Sequence, residues 1–460
     1  MKILLVNPPG ERRIPLLPLG LASIAAYLKS KNTDVSVIDA WAEGMGLETL
    51  ENKVSQSKAD IIGITMASPY YDKARVAIEI CRQALPNSII IAGGPHPSAL
   101  PVETLQEITQ LDICAIGEGE LTMQELAEGK TLETINGIAY RDGKEIKLTP
   151  PRDFIKNLDD LPFPARELFP IEKYRFLPPA GREKPCFSMI TSRGCPYHCA
   201  FCFKDVFKDI YRSRSPKNVV DEIEKLITEY GAKEIQFVDD DFSLNAQRAK
   251  GICEEILRRG LKFRWSCTSR VNLVNEELLR KMKEAGCWMV IYGIESGNQK
   301  ILDSINKKFT VEQAISALEI TRKVGLLTSC GFIIGLPGET KETIRETLDL
   351  AKKLKPDFFS CTVLLILPGS GLFKLIQGGK YQGKLKTMEK PAGTYVKKGN
   401  FTVIEENLTS EELEETVRKA NREFYLRPQY IWQFLKGIRS FSDFKYYLAG
   451  GLGIIKSFIK

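Results

Sequence analysis

The sequence predicts an α/β protein: an N-terminal doubly wound parallel sheet, then a partial (β/α)6 barrel, then a mostly helical C-terminal region. Three observations carry this reading. From the first residues to about 130, short apolar runs alternate with helical patterns, as buried parallel strands and their crossover helices do. A second series, with six strand candidates, runs from about 185 to 370. Past Leu367-Pro-Gly-Ser-Gly371 the strand periodicity stops.

Bulk properties bound the function classes. At about 100–200 residues per domain, 460 residues allow two to four domains. Eleven cysteines are too sparse for a disulfide scaffold. Most lie in apolar runs and read as small core residues of a protein in a reducing, cytoplasmic compartment. The start, Met1-Lys-Ile-Leu-Leu-Val-Asn-Pro-Pro9, is too short and too soon broken by proline for a signal peptide. No run of 18 apolar residues exists to span a membrane. Only two histidines occur, His96 and His198, which disfavours imidazole acid/base chemistry. A net charge of +7 leans towards anionic partners without arguing for nucleic acid.

The first domain is read as residues 1–140. Its strand candidates are Ile3–Val6, Val35–Ile38, Ile61–Ile64, Ile89–Ala92 and Ile113–Ile116; its helix candidates are Leu19–Lys29, Tyr71–Ala84 and Leu121–Ala127. Ligands of such sheets bind at the carboxyl ends of the strands. The loops there are Asn7-Pro-Pro-Gly10, Met66-Ala-Ser-Pro69, Gly93-Gly-Pro-His-Pro97 and Gly117-Glu-Gly-Glu120, whose glycines let a flat or phosphorylated ligand approach the backbone. Residues 141–184 read as a linker: a hairpin with an Asp142-Gly143 turn precedes the proline-rich Leu158-Asp-Asp-Leu-Pro-Phe-Pro-Ala165.

Residues 185–375 form the expected barrel. Strands are expected at Phe187–Ile190, Glu234–Val238, Phe263–Ser266, Trp288–Tyr292, Ser329–Ile334 and Phe358–Ile366, with amphipathic helices between them. Barrel active sites sit at the C-terminal strand ends. After the first strand comes Thr191-Ser-Arg-Gly-Cys-Pro-Tyr-His-Cys-Ala-Phe-Cys-Phe203, a C-x3-C-x2-C pattern. Thiolates so close in sequence can hold one face of an iron–sulfur cluster. With no fourth cysteine at a matching interval, Cys195, Cys199 and Cys202 leave one iron open to a ligand. A zinc knuckle using His198 or a distant cysteine is the alternative, although His198 sits too tightly inside the loop for the usual spacing. Polar loops end the other strands: Asp239-Asp-Asp-Phe-Ser243, Thr268-Ser-Arg270, Gly293-Ile-Glu-Ser-Gly297 and Gly331 to Glu339. Helix N-caps, solvated loop acids and a rim salt bridge at Glu295 are the structural alternatives.

The cysteine pattern, with Phe201 before the third cysteine, resembles that of the radical S-adenosylmethionine superfamily. The resemblance implies a 4Fe-4S cluster on Cys195, Cys199 and Cys202 that chelates S-adenosylmethionine and, given one electron from a flavodoxin- or ferredoxin-type reductant, cleaves it to a 5′-deoxyadenosyl radical. It implies S-adenosylmethionine contacts at Phe201, Asp239, Asp240, Arg270, Glu295, Ser296 and Gly335. Leu17-Pro-Leu-Gly-Leu-Ala22, Ala92-Gly-Gly-Pro-His96 and Ile116-Gly-Glu-Gly-Glu120 are similar to the cobalamin-binding domain that precedes the barrel in a large subgroup. That similarity implies cobalamin contacts at Pro8, Leu19, Gly20, Ser68, Gly93, Gly94, His96, Gly117, Glu118 and Gly119. The Asp-x-His-x-x-Gly motif is absent. The cofactor is therefore expected base-off without a protein histidine below, and His96 is expected to pack or to touch the corrin edge. A degenerate domain that binds nothing is the alternative.

In residues 376–460, Thr409-Ser-Glu-Glu412 resembles a capping box opening a helix to about Tyr425. From Gln429 onward, aromatics mix with lysines and arginines. That composition suits a cap over the barrel mouth or peripheral contact with anionic lipid at the inner membrane face. No RNA-binding module accompanies it, and no nucleic-acid partner is expected. The resemblance implies methylation of an unactivated carbon or phosphinate phosphorus of a small-molecule or lipid substrate. Oxidative cyclisation or rearrangement without methyl transfer is the second reading, and a non-catalytic cobalamin or redox sensor the third.

Overall fold

The fold is described from a computed structural model, for residues 1–10, 15–174, 176, 181–380, 408–428 and 430. The first sheet contains β1 (Lys2–Asn7), β2 (Asp34–Asp39), β3 (Ile61–Thr65), β4 (Ile89–Gly93), β5 (Ile113–Ala115), β6 (Ile138–Asp142) and β7 (Glu145–Leu148), in the order β2-β1-β3-β4-β5-β6-β7. The first five run parallel. Their apolar residues alternate between two cores: Leu4, Val6, Ile62 and Ile64 face one, while Ile3, Leu5, Ile61 and Ile91 face the other. Helices cover both faces, so the sheet is doubly wound.

The hairpin around Asp142-Gly143 corrects the expected linker. Both its strands join this sheet, antiparallel, and extend it past residue 140 to Leu148. The chain then crosses over three short 3-10 turns, among them Leu158–Asp160 and Arg166–Leu168. Arg166, 2% exposed, donates to Glu222 and to the Ser188 carbonyl, fixing this crossing to the second domain.

The second sheet contains β8 (Cys186–Met189), β11 (Glu234–Phe237), β12 (Arg264–Ser269), β13 (Cys287–Glu295), β14 (Leu327–Ile334) and β15 (Phe358–Val363), all parallel and in sequence order. This is the expected six-stranded open barrel. Between β8 and β11 lies a small antiparallel ribbon, β9 (Ser192–Arg193) with β10 (Arg212–Ser213), pairing Arg193 with Arg212. Strands this short carry no periodicity, and the sequence reading did not contain them. The barrel core is dominated by large rings: Phe237 stacks on Phe242, and both contact Trp265, whose indole N–H donates to the Ala285 carbonyl.

The helix Ser410–Tyr425 opens on the expected capping box, Thr409 and Glu412 bonding reciprocally. It lies along β15, the barrel's open edge. There the Tyr425 hydroxyl accepts from the Phe359 N–H at 3.1 Å and donates to the Phe359 carbonyl at 2.5 Å. One phenol thus meets both backbone groups that an edge strand leaves unpaired. The aromatic, basic tail from 431 onward lies outside the described residues. Among the described residues, no helix is long and apolar enough to cross a membrane.

Candidate active site

The ribbon of β9 and β10 is the neck of the cysteine loop, residues 194–211. Gly194 follows the neck at φ +87°, and a Cβ there would lie 2.3 Å from the Ile210 carbonyl oxygen. Only glycine fits so close a turn. The loop is bound into the barrel by Ala200, whose N–H donates to Ile305 and whose carbonyl accepts from Leu372.

The three cysteines face two ways. Cys195 and Cys202 line a cavity of about 420 Å³ between the two domains. Cys199, 9% exposed, lies against the barrel, where the Arg270 Nη1 sits 3.8 Å from its sulfur. Arg270 is held over the Tyr197 ring, 3.6 Å from its centroid, and bonds the Lys307 carbonyl. Burial pushes the Cys202 thiol up to about 11, with further repulsion from Cys199, and burial also raises Cys195. Thiols so placed lose their protons to a metal's charge rather than to water.

His198, the nearest imidazole, does not join the cysteines. Its side chain is 65% exposed and sits 3.7 Å from Asp209. Among the described residues, no three His, Cys, Asp or Glu side chains converge as ligands of one metal ion. Cys202 feels the charge of both Cys199 and Cys195, so three thiols with no imidazole among them lie near one another on one loop, the donor set of an iron–sulfur cluster. The donor set therefore fits a cluster.

The rest of the cavity belongs to the first sheet. Gly20, Gly93, Gly94, Gly117, Glu118 and Gly119 line it, as do Leu5, Gly63, Ile91 and Met123 deeper in. The peptide at Gly119 is so close-packed that a Cβ would lie 2.7 Å from Ile24. Backbone and apolar side chains thus form a chamber at the carboxyl strand ends, which fits a large flat cofactor. The cysteine loop closes it with Phe203, Lys204, Val206 and Phe207, joined by Ile190 and Arg193 just before the loop, and Asp240 closes it from the end of β11.

Several expected cofactor contacts have partners within the protein. His96 is 1% exposed; its Nδ1 bonds Ser68 Oγ at 2.9 Å and its ring packs on Tyr71. Burial lowers it to about 4, so it is neutral. The His96–Ser68 pair ties two loops together behind the chamber, where neither residue lines the wall. Leu19 packs in the core, and Pro8 is buried outside the lining.

Asp239 is fully engaged: its carboxylate accepts from the N–H groups and hydroxyls of both Thr191 and Ser192. It orders the end of β8, with three of these bonds on Oδ1 and one on Oδ2. Asp240 receives the Gly194 N–H and is raised by burial and by the charge of Asp239. Ser296, fully buried, bonds Thr347 on the helix Lys341–Leu354 and serves packing. Glu295 takes φ +69° at a bulge in β13 and pairs with Lys307 at 2.7 Å, the rim salt bridge weighed above. Lys307 also faces the Phe201 ring at 5.7 Å, so Phe201, Lys307, Glu295 and Arg270 form one group on the barrel side of the loop. The N–H groups of Gly335 and Leu336 are taken by Glu339, which burial raises to about 7.

Glu118 lines the chamber and also bonds beyond it. It reaches past the chamber wall to both strands of the neck, meeting Arg193 at 2.5 Å and Arg212 at 2.8 Å. Glu120 takes the other side of Arg193 at 2.6 Å. Arg193, Arg212, Glu120 and Lys307 escaped the sequence reading. Only the second acid of Gly117-Glu-Gly-Glu120 and the arginine two places before Cys195 signalled them.

The Radical SAM superfamily matches residues 189–351, and the B12 binding domain family matches residues 11–127. An uncharacterized methyltransferase of Pyrococcus horikoshii is 37% identical over 443 residues, covering 94% of this chain and 94% of that protein. An anaerobic magnesium-protoporphyrin IX monomethyl ester cyclase of Rubrivivax gelatinosus is 33% identical over 78% of this chain and 66% of its own length. The radical S-adenosylmethionine methyltransferase TsrM from Kitasatospora setae, solved with cobalamin and a 4Fe-4S cluster bound, shares the fold. Its TM-score is 0.74 at 20% identity, over 93% of this chain and 90% of that chain.

Proposed function

The chain belongs to the radical S-adenosylmethionine enzymes that carry a B12-binding domain, and from that premise we propose that it methylates an unactivated carbon, or a phosphinate phosphorus, of a small-molecule substrate. The cofactors of this enzyme are cobalamin, a 4Fe-4S cluster and S-adenosylmethionine, which when bound supply an organic radical and a transferable methyl group.

One observation carries the reading. A single chamber is lined at once by the glycine loops of the first sheet and by Cys195 and Cys202. Methyl transfer from a corrin to a substrate radical requires both sources within reach of one bound molecule. This chain's own part is to hold the three groups in register and keep water out. The apolar walls from Leu21, Ile24, Ile190, Phe203 and Phe207 do the second. Arg270, buried against Cys199, sets a guanidinium 3.8 Å from that sulfur. The group formed by Phe201, Arg270, Glu295 and Lys307 is the candidate wall for S-adenosylmethionine on the barrel side. Neither histidine is among the described residues of the chamber lining, and the glycine loops and apolar side chains there would hold cobalamin. The electron comes from an external flavodoxin- or ferredoxin-type donor in the cytoplasm. Contact of the tail with lipid rests on its composition alone.

Similarity to the Rubrivivax cyclase favours a second reading, cyclisation without methyl transfer. Anaerobically reconstituted protein, given methyl-labelled S-adenosylmethionine and candidate substrates, separates the two. Label in the product supports methylation. Turnover that yields 5′-deoxyadenosine and an unlabelled, cyclised product supports the second reading and overturns the first.

A further inference from the structure

Glu118, in the chamber wall of the first domain, grips both strands of the neck of the cysteine loop. Its backbone lies in Gly117-Glu118-Gly119, wedged between the helix Leu19–Ser30 and the cysteine loop. A Cβ on Gly119 would lie 2.7 Å from Ile24, and one on Gly117 3.5 Å from the Val206 carbonyl oxygen. Its carboxylate leaves the chamber and spans the ribbon. Oε1 accepts from Arg193 at 2.5 Å, and Oε2 accepts from Arg212 at 2.8 Å and from the Ile155 N–H at 3.0 Å. Arg193 and Arg212 stand directly opposite each other in β9 and β10, so one carboxylate pins both strands. Glu120 holds the second side of Arg193, and Arg212 also donates to the Ile155 carbonyl at 2.7 Å.

The charges balance within this buried group: two carboxylates, Glu118 and Glu120, against two guanidiniums, Arg193 and Arg212. Its side chains are 3% to 11% exposed. Screening is weak at such burial, and the geometry is fixed by the planar Arg193 fork, one arm on Glu118 and one on Glu120, rather than by a flexible lysine. Gly194 and Cys195 follow Arg193 immediately. A shift of the 117–119 backbone is therefore carried to the first cysteine through one side chain and one strand residue.

On the cofactor reading above, we propose that Glu118 is a positioning residue that couples the two halves of the site: cobalamin in the chamber and cluster on the loop each strengthen the other's binding. Linkage makes the effect reciprocal. The loop ordered by a cluster presents Arg193 and Arg212 in register, which fixes Glu118 and the glycine wall; a filled chamber fixes the wall and thereby the neck. Each ligand then meets a site already ordered by the other.

The test measures hydroxocobalamin affinity by its visible spectrum, for full-length protein with the cluster assembled and for the same protein stripped of iron. In the wild type the cluster is expected to tighten binding about tenfold, within the usual range of site–site coupling. In Glu118→Gln the ratio is expected to fall to about twofold or less. A merely structural role would weaken both affinities together and leave their ratio standing. Arg193→Lys keeps the charge and loses the fork across Glu118 and Glu120; its ratio is expected between the two, and it stands in should Glu118→Gln fold poorly. A wild-type ratio near one, or a ratio that these substitutions leave intact, would overturn the coupling. Failure of the wild type to bind hydroxocobalamin at all would instead overturn the cofactor reading beneath it.

Discussion

Polar residues at strand ends serve two masters, and Asp239 shows which one prevails. Four donors from Thr191 and Ser192 converge on its carboxylate, so it fixes the start of the cysteine loop. Asp239→Asn sets an amide donor against those donors. It is expected to lower stability by about 2–4 kcal/mol, read as a fall in the thermal midpoint, and to reduce iron incorporation. His96 offers a pH test. Its folded pKa of about 4 lies below the ordinary value of 6.5, so the unfolded chain binds its proton first. Stability is therefore present above pH 6.5 and is lost as pH falls towards 4, by on the order of 3 kcal/mol. Denaturant melts of His96→Gln against wild type at pH 7.5 and pH 4.5 check it: the gap between the proteins should move in favour of the variant at the lower pH. If the gap is the same at both, the buried neutral imidazole is not what the structure says it is. At this scale the sequence told residue types but not allegiances. Ser68, Ser296 and Glu118 each make hydrogen bonds within the protein that their residue types alone do not announce.

At the scale of elements, strands of both sheets were legible because a buried parallel strand is a continuous apolar run. The helix Ser410–Tyr425 was legible from its capping box, and the hairpin from its Asp-Gly turn. What stayed hidden was docking. Nothing local says that β6 and β7 pair onto β5, that two-residue strands close the neck of the cysteine loop, or that a helix covers β15. The Tyr425 hydroxyl makes that last contact testable. Tyr425→Phe removes the partner of the Phe359 N–H and carbonyl while keeping the ring that packs near Phe424. A loss of about 1–3 kcal/mol is expected, with faster amide exchange at Phe359. Unchanged exchange there would show that the edge is covered by other means. Gly194→Ala tests the neck: the added Cβ meets the Ile210 carbonyl in a left-handed backbone, so cluster loading should fall while the first domain keeps its cobalamin affinity to within the coupling factor.

The whole molecule is two α/β units whose functional ends face one another. In each, the site lies at the carboxyl ends of parallel strands, as the topology requires. The first domain contributes glycines and backbone, the barrel contributes sulfur, and the chamber between them belongs to both. Each half was legible alone; that they share one cavity was not, because relative placement depends on Arg166, Glu118 and Glu120, buried charges with no pattern in sequence. The shared chamber is the central claim, and magnetic resonance reads it directly. Cob(II)alamin bound to the reconstituted protein carries one unpaired electron, and the reduced cluster carries another. With the cluster reduced, the cobalt signal is expected to broaden and relax faster than with the cluster oxidised, as for two spins in one cavity. A cobalt signal identical in both states would place the two centres apart and contradict the account.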